Sequence, residues 1–295
     1  MQLYQQTIRR AVYSQGIGLH TGKQVDLALI PAPAGTGIRF LRADLPDSSP
    51  IVARSSSIMD TRLATTISNG SAFVSTTEHL MAALLAYGID NLLIEVSGPE
   101  VPVFDGSAKR FVEMIKDGGI RVLTAPRTYL VPTQTVEIND GDKWIRLEPT
   151  GDTLRVDCHI DFTHPAIGAQ HFGCDVTGEI FAREVAPART FGFVRELEVL
   201  QSAGLGLGGG LENAVVLDDE RVINEDGLRY RDEFVRHKAL DIIGDLALVG
   251  LPLMGHVTAH KSGHALNARL TQMLYDRPEL WERFVPVAPE AACAV

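Results

Sequence analysis

Short runs of alternating apolar and polar residues occupy much of the first half of the chain, and two helical patterns follow them. Residues 25–30 alternate with a period of two over their first four positions, and residues 38–41 are rich in β-forming side chains. Both patterns are typical of strands. Glycine is the favoured residue just after a helix, so glycines mark where the helices should end. The sequence therefore predicts a helix over 76–87 before Gly88, an apolar strand over 91–96, and a helix over 108–116 before Gly118 and Gly119.

A second set of elements begins after residues 124–127, where Pro126 interrupts the pattern and β-forming residues return. In both halves, strands precede a helix whose early turns carry a histidine, His79 or His237. This shared order indicates a diverged duplication of an α+β unit, with one domain at 1–126 and another at 127–295. The elements predicted for the second half are strands over 129–138, 143–147, 154–160, 214–217 and 253–259, and helices over 194–202, over 233–249 and from about residue 264.

Composition and charge narrow the class of protein. The 295 residues include 27 Lys and Arg against 37 Asp and Glu, a formal net charge of -10, which argues against a general nucleic-acid binder. Three cysteines without a C-x-x-C pair argue against a disulfide framework or a cysteine-rich zinc ribbon. No signal-peptide pattern and no membrane-spanning apolar run is visible. We therefore expect a cytoplasmic protein without a transmembrane segment.

The strongest chemical signal lies in the helix predicted over 233–249. His237 and Asp241 are four residues apart, so an imidazole and a carboxylate lie side by side on one helix face, and Asp245 follows one turn later. Apolar neighbours such as Leu240 indicate that this helix is largely buried, where a charged row needs partners or a metal. A hydrogen-bonded surface pair is the alternative interpretation of His237 and Asp241.

A second signal is the pair Glu78 and His79 in the first turn of the helix predicted over 76–87. A carboxylate beside a metal-binding histidine is typical of zinc hydrolases, in which it acts as general base. The alternative is a glutamate that stabilises the helix dipole beside a hydrogen-bonded core histidine. With His237 and Asp241, His79 would complete a two-histidine, one-carboxylate set. That set suits a catalytic zinc or the Fe(II) of an oxygenase, and only the hydrolase needs Glu78.

Two further segments carry candidate groups. Gly263 is suited to a turn before a helix that starts at His264, so this histidine could protonate an amine leaving group while Asp245 orients it. A surface loop histidine is the alternative. Thr190 could donate a hydrogen bond to an oxyanion, although a single threonine in a loop is uninformative, and the neighbouring aromatic residues 191 and 193 would by default belong to the core.

Several of these segments resemble the signature blocks of the UDP-3-O-acyl-N-acetylglucosamine deacetylase family of lipid A biosynthesis. The blocks follow one another over nearly the whole chain, at residues 16–22, 75–79, 103–108, 188–193, 237–245 and 261–267. The resemblance implies two similar domains, each a helix layer packed on a mainly antiparallel sheet, with the active site between them. It also implies hydrolysis of the N-acetyl group of an acylated UDP-sugar, with release of acetate, by a protein that we expect to be a monomer.

The resemblance also implies a role for each matching residue. His79, His237 and Asp241 would bind Zn2+, with Fe2+ possible in the same site. Glu78 would be the general base, His264 the acid with Asp245 behind it, Thr190 an oxyanion donor, and Lys238 an electrostatic neighbour of the substrate. The glycine-rich run 204–210 would leave room for an acyl chain, with a flexible loop as the alternative interpretation. The implied substrate contacts are Leu19, His20, Lys143, Phe162, Phe191, Phe193, Leu197, Gly209 and Lys261.

Three other classes remain open at this point. An acyl-lipid or nucleotide-sugar binding protein would hold a structural metal, which four protein ligands normally enclose. An Fe(II) oxygenase would need oxygen and would lose activity when zinc replaced iron. A metal-free α+β scaffold would retain no metal after dialysis.

Overall fold

The computed structural model describes residues 1–287, which contain nineteen strands and six α-helices. The helices are α1 (Glu78–Tyr87), α2 (Lys109–Gly118), α3 (Gly178–Ile180), α4 (Val194–Ser202), α5 (Glu233–Leu246) and α6 (His264–Asp276). The strands of the first half are β1 (Tyr4–Ile8), β2 (Val12–Ile17), β3 (Gln24–Pro31), β4 (Ile38–Arg42), β5 (Ile51–Val52), β6 (Ile58–Asp60), β7 (Thr66–Ser68), β8 (Phe73–Val74), β9 (Leu92–Val96) and β10 (Ile120–Pro126). Those of the second half are β11 (Tyr129–Pro132), β12 (Val136–Asp140), β13 (Lys143–Glu148), β14 (Leu154–Asp161), β15 (Ala169–Asp175), β16 (Phe191–Phe193), β17 (Val215–Leu217), β18 (Gly255–His260) and β19 (Trp281–Phe284).

Two five-stranded sheets of identical topology organise the fold. Their strand orders are β2-β3-β9-β4-β5 and β12-β13-β18-β14-β15. Numbered along the chain within each sheet, both orders read 1-2-5-3-4. In both, the third and fifth strands pair in parallel and the other neighbours are antiparallel. The predicted α+β fold of two similar units with mainly antiparallel sheets is confirmed.

The helices pack on one another and on the sheets, and strands and helices both contribute to the core. Helix α1 packs against α5, α5 packs on β14 and β15, and α6 packs on β12 and β13. Strand β14 shows how the pattern fits this arrangement, because the alternate residues Val156, Cys158 and Ile160 are buried. The charged row on α5 is therefore enclosed in the interior.

Most predicted elements are present, and the differences have local causes. Residues 129–138 form two strands rather than one, because the chain leaves its partner β19 after Pro132, which has no N–H to donate to a ladder. The helix predicted from residue 76 begins at Glu78, since Thr76 has a left-handed φ of 57°. Helix α5 ends at Leu246, and a 3-10 turn, Ala247–Val249, completes the predicted span.

The expected domain limit near 126 falls at the end of β10, which pairs with β1. The limit itself stays a prediction. Cys158 and Cys174 are both buried free thiols, and Cys293 lies outside the described residues. Within residues 1–287, the helices are too short or too polar to cross a bilayer.

Candidate active site

Three buried side chains from two helices converge where α1 meets α5. His79 lies in the first turn of α1, and His237 and Asp241 lie one turn apart on α5. The Nε2 atoms of His79 and His237 are 3.8 and 3.4 Å from Asp241 Oδ1. One ligand atom from each residue can be chosen so that all three lie within 4.8 Å of one another. Two imidazoles and a carboxylate at this spacing are a ligand set that divalent transition metals favour.

A glycine contact allows the two helices to come this close. A Cβ on Gly244 would lie 2.0 Å from the backbone oxygen of Glu78, so a side chain at this position of α5 would push α1 away. The preceding turn is also unusual, because Thr76 is a β-branched residue with φ 57°. Its hydroxyl donates a hydrogen bond of 3.0 Å to buried Glu100. Glu78 and His79 are therefore held against α5 by backbone geometry as well as by side-chain packing.

The protonation states of the three residues fit a cation. Burial lowers the pKa of His79 to about 3, assisted by repulsion from His237. Burial also lowers the pKa of His237. For Asp241, burial alone would raise the pKa, but attraction to Lys238 and the imidazoles outweighs it and holds the pKa well below its usual range. Two neutral imidazoles and an ionised carboxylate are the forms that bind metals.

The Nδ1 atoms of His79 and His237 face away from Asp241, and their hydrogen bonds show which ring nitrogens are available to a metal. His237 Nδ1 donates a hydrogen bond of 3.1 Å to the backbone oxygen of Ala188, which leaves the Nε2 lone pair free. A backbone partner of this kind usually orients a metal-ligating histidine. His79 Nδ1 is buried and has no hydrogen-bond partner among the described residues. The donor set therefore fits a divalent cation bound through the two Nε2 atoms and Asp241.

Beside the three ligands lies a carboxylate–imidazole pair. Glu78 Oε1 is 3.9 Å from the Nε2 atom of His264, the first residue of α6. Burial raises the pKa of Glu78 to about 7. For His264, burial opposes the charged form, but the carboxylate of Asp245 outweighs it and raises the pKa to about 10. One group can therefore accept a proton at neutral pH while its neighbour donates one.

Both oxygens of the Asp245 carboxylate accept hydrogen bonds next to this pair. His264 Nδ1 and Asn267 Nδ2 each donate to Asp245 Oδ2 at 2.8 Å, and the Thr65 hydroxyl donates to Oδ1 at 2.5 Å. The backbone N–H of Thr65 also donates to Glu78 Oε2 at 3.1 Å. Thr65 and Asn267 were not predicted site residues. Asn267 closes one of the signature segments, whereas no sequence pattern points to Thr65.

A buried ion pair fixes the loop that carries Thr190. Glu233, the first residue of α5, accepts hydrogen bonds from Arg189 Nε at 2.8 Å and from the Arg189 backbone N–H at 3.0 Å. Both side chains are almost fully buried. The pair holds the Ala188 oxygen next to His237. Half-buried Thr190 follows in the same loop, and its backbone N–H donates to the Gly106 oxygen at 2.8 Å. Neither Arg189 nor Glu233 was predicted as a site residue, because a distant Arg–Glu pair leaves no local pattern.

Lys238 joins the metal ligands to an aromatic cluster. Its Nζ donates to Asp241 Oδ2 at 2.9 Å and lies 5.5 Å from the centroid of the Phe191 ring. Burial would lower the pKa of Lys238, but the Asp241 carboxylate outweighs it and raises the pKa. The ammonium therefore stays charged at the edge of the site.

The structure brings together the three predicted aromatic contacts. The ring centroid of Phe162 is 5.8 Å from that of Phe191 and 6.4 Å from that of Phe193. The Phe191 centroid is 6.5 Å from that of His237. Phe193 is buried, as expected of a core residue, while Phe162 and Phe191 are partly exposed. This cluster provides an apolar wall beside the candidate metal ligands.

The glycine-rich segment 204–210 docks on the N-terminal loop 18–22. The backbone N–H of Gly208 donates to the Leu19 oxygen at 3.0 Å. A Cβ on Gly209 would lie 3.6 Å from the Leu19 side chain, so these two predicted contacts are neighbours. The two loops are therefore in direct contact.

His20 and Leu197 are two further predicted substrate contacts. Burial lowers the pKa of His20. Its Nδ1 accepts a 3.4 Å hydrogen bond from the Gly206 backbone, while its Nε2 is buried without a partner among residues 1–287. Leu197 is half-buried on α4, the helix that leads into the glycine-rich segment.

The two predicted lysine contacts are not drawn into the cluster of ligands. Lys261 Nζ lies 3.0 Å from Asp142 and 3.1 Å from Asp161, which raise its pKa. Lys143 is exposed at the start of β13. Their contribution to substrate binding stays a prediction.

Comparisons with known proteins identify the family of this chain. Residues 5–276 match the family model of LpxC, UDP-3-O-acyl N-acetylglycosamine deacetylase. A UDP-3-O-acyl-N-acetylglucosamine deacetylase of Acidithiobacillus ferrooxidans is 48% identical over 290 residues, which cover 98% of this chain and 95% of the relative. Relatives with the same name from Myxococcus xanthus and Sodalis glossinidius are each 49% identical; the matches cover 94% of this chain in both cases, and 88% and 92% of the relatives. The chain therefore belongs to the LpxC family of UDP-3-O-acyl-N-acetylglycosamine deacetylases.

Proposed function

We propose that this protein is a metal-dependent hydrolase that removes the N-acetyl group of UDP-3-O-(3-hydroxyacyl)-N-acetylglucosamine and releases acetate in lipid A biosynthesis. The observation that carries the proposal is the position of the Glu78–His264 pair beside the ligand set of His79, His237 and Asp241. A structural metal site needs no general base and acid at its edge. The family names support the substrate.

His79, His237 and Asp241 would hold the cation, with zinc the first choice and Fe2+ the alternative. When bound, a cation there would polarise the amide carbonyl and make a nearby water more acidic. Lys238 would stay charged through its contact with Asp241 and favour negative charge on the substrate side of the site.

The residues of the chain would divide the proton transfers between them. Glu78 would take a proton from the water whose oxygen forms the new bond to the acetyl carbon. The Thr190 hydroxyl would donate a hydrogen bond to the oxyanion that forms there. His264, held by Asp245, would give its proton to the sugar nitrogen as the C–N bond breaks. The products are acetate and a free glucosamine amine.

The substrate would lie along the aromatic cluster and along the loops 18–22 and 204–210. We infer that Phe162, Phe191 and Phe193 contact the sugar and the start of the acyl chain, because Phe191 lies next to His237 and the other two rings pack against Phe191. Leu19, Leu197 and Gly209 would line the acyl passage, and His20 would contribute at the glucosamine and nucleotide end. Lys143 and Lys261 are assigned to the nucleotide end.

The test is metal content measured beside acetate release. Purified wild-type protein should hold about one zinc per chain and release acetate from the UDP-sugar, because catalytic zinc sites are mononuclear sets of this kind. His79→Ala should lose both the metal and the activity. Full acetate release by metal-free His79→Ala would contradict the metal role, and a wild type without deacetylation would contradict the proposed substrate.

A further inference from the structure

Glu100 is a buried carboxylate whose partners all come from two short segments. It is 1% exposed. Glu100 Oε1 accepts from the His20 N–H at 2.9 Å and from the Thr76 hydroxyl at 3.0 Å. Glu100 Oε2 accepts from the N–H and the hydroxyl of Thr21, both at 2.9 Å. All four donors are uncharged, so these hydrogen bonds alone offset the free-energy cost of removing the carboxylate from water.

One end of this arrangement is the N-terminal loop 18–22. A Cβ on Gly18 would lie 2.4 Å from Glu100 Oε2, so the loop wraps closely around the carboxylate. The same loop accepts two hydrogen bonds from the glycine-rich segment 204–210. The Leu207 N–H donates to the His20 oxygen at 3.2 Å, and the Gly208 N–H donates to the Leu19 oxygen at 3.0 Å.

The other end is the turn that starts α1. Thr76 has its left-handed φ of 57° directly before Thr77, Glu78 and His79. The residue before it, Ser75, forms a parallel β-bridge with Glu100. The hydrogen bonds of this bridge come from the neighbours of Glu100: the Ser75 N–H donates to the Pro99 oxygen at 2.8 Å, and the Val101 N–H donates to the Ser75 oxygen at 3.0 Å. The Glu100 side chain therefore binds Thr76, while the backbone on either side of Glu100 binds Ser75.

We propose that Glu100 is a positioning residue that sets the acyl-contacting loops relative to the helix carrying Glu78 and His79. The inference rests on the proposed function, because it assigns the loops 18–22 and 204–210 to the acyl chain. Loss of the carboxylate would free the N-terminal loop from the turn at Thr76, and the glycine-rich segment would move with it. Glu100 would then control how well a long acyl chain aligns the acetamide with the catalytic groups.

The test compares Glu100→Gln with Glu95→Gln, a matched change on β9 outside this network. The kcat and KM values are measured for two UDP-sugars that differ only in acyl-chain length, together with metal content. Glutamine has the size of glutamate but replaces one acceptor oxygen with a donor. We expect kcat/KM for the long-chain substrate to fall about tenfold, with a smaller fall for the short-chain one and unchanged metal content. Glu95→Gln should match the wild type.

Equal losses for both substrates would overturn the inference, since a merely structural residue would affect them alike. Thr21→Val is a milder variant that keeps the carboxylate but removes one of its donors. It should lower kcat/KM for the long-chain substrate more than for the short-chain one, and it provides the test if Glu100→Gln does not fold. Hydrogen exchange provides a readout independent of activity. The Leu207 and Gly208 amides should exchange faster in Glu100→Gln than in Glu95→Gln, and unchanged exchange would overturn the inference. An inactive wild type would instead contradict the proposed function.

Discussion

The backbone oxygen of Glu78 occupies the space that a side chain on Gly244 would need, because a Cβ at that glycine would lie only 2.0 Å from the oxygen. The contact joins the residue before one candidate metal ligand to the helix that carries the other two. The spacing of the candidate ligands thus depends on a glycine that is not itself one of them.

Gly244→Ala should weaken both the fold and the site. The added methyl group forces α1 and α5 apart, and such overpacking costs about 1–3 kcal/mol of unfolding free energy. Thermal unfolding and metal content are the measurements. Gly178→Ala is the control, because its Cβ would lie no closer than 3.5 Å to another atom. Normal stability and full metal content in Gly244→Ala would show that the helices can adjust.

Glu78→Gln and His264→Ala should separate catalysis from metal binding. Each removes a proton-transfer group and leaves the three ligands in place. We expect kcat to fall by roughly 10²-fold or more in each variant, with metal content unchanged. Acetate release and metal analysis on the same preparation check this. A variant that keeps the wild-type kcat would exclude the proton-transfer role of its residue.

Activity should depend on pH with two limbs. Glu78 must be ionised to act as base, so activity falls as the pH drops through its pKa of about 7. His264 must be protonated to act as acid, so activity falls as the pH rises through its pKa of about 10. Asp245→Asn removes the attraction that raises the pKa of His264 and should move the alkaline limb to lower pH. The control is Asp276→Asn, at the other end of α6, which should leave both limbs in place. If the alkaline limb does not move in Asp245→Asn, His264 is not the acid that this limb reports.

Glu233→Gln should destabilise the protein and impair the site together. It leaves Arg189 buried without its carboxylate, which costs about 3–5 kcal/mol when one partner of a buried pair is removed. The loop that presents Ala188 and Thr190 then loses its anchor, so kcat should fall as well. Chemical denaturation and kinetics measure the two effects. The control, Glu279→Gln, removes an exposed partner of Arg277 and should change the free energy of unfolding by less than about 1 kcal/mol. An equally small change in Glu233→Gln would show that Glu233 does not anchor the loop.

The sequence was informative where a regular period or a local block carried the signal. The four-residue spacing of His237 and Asp241 predicted their shared helix face, and the Gly88 stop predicted the end of α1. Long-range partners were not predictable in this way. Thr65 reaches Asp245 across 180 positions, and Arg189 reaches Glu233 across 44, so no period links them. The pairing of β11 with β19 was missed for the same reason.

Because α1 in the first half carries His79 and α5 in the second half carries His237 and Asp241, neither half alone contains all three candidate ligands. Metal binding therefore requires the two halves of the chain to be associated. If the halves were produced as separate polypeptides, tight metal uptake should appear only on mixing and should saturate at equimolar stoichiometry.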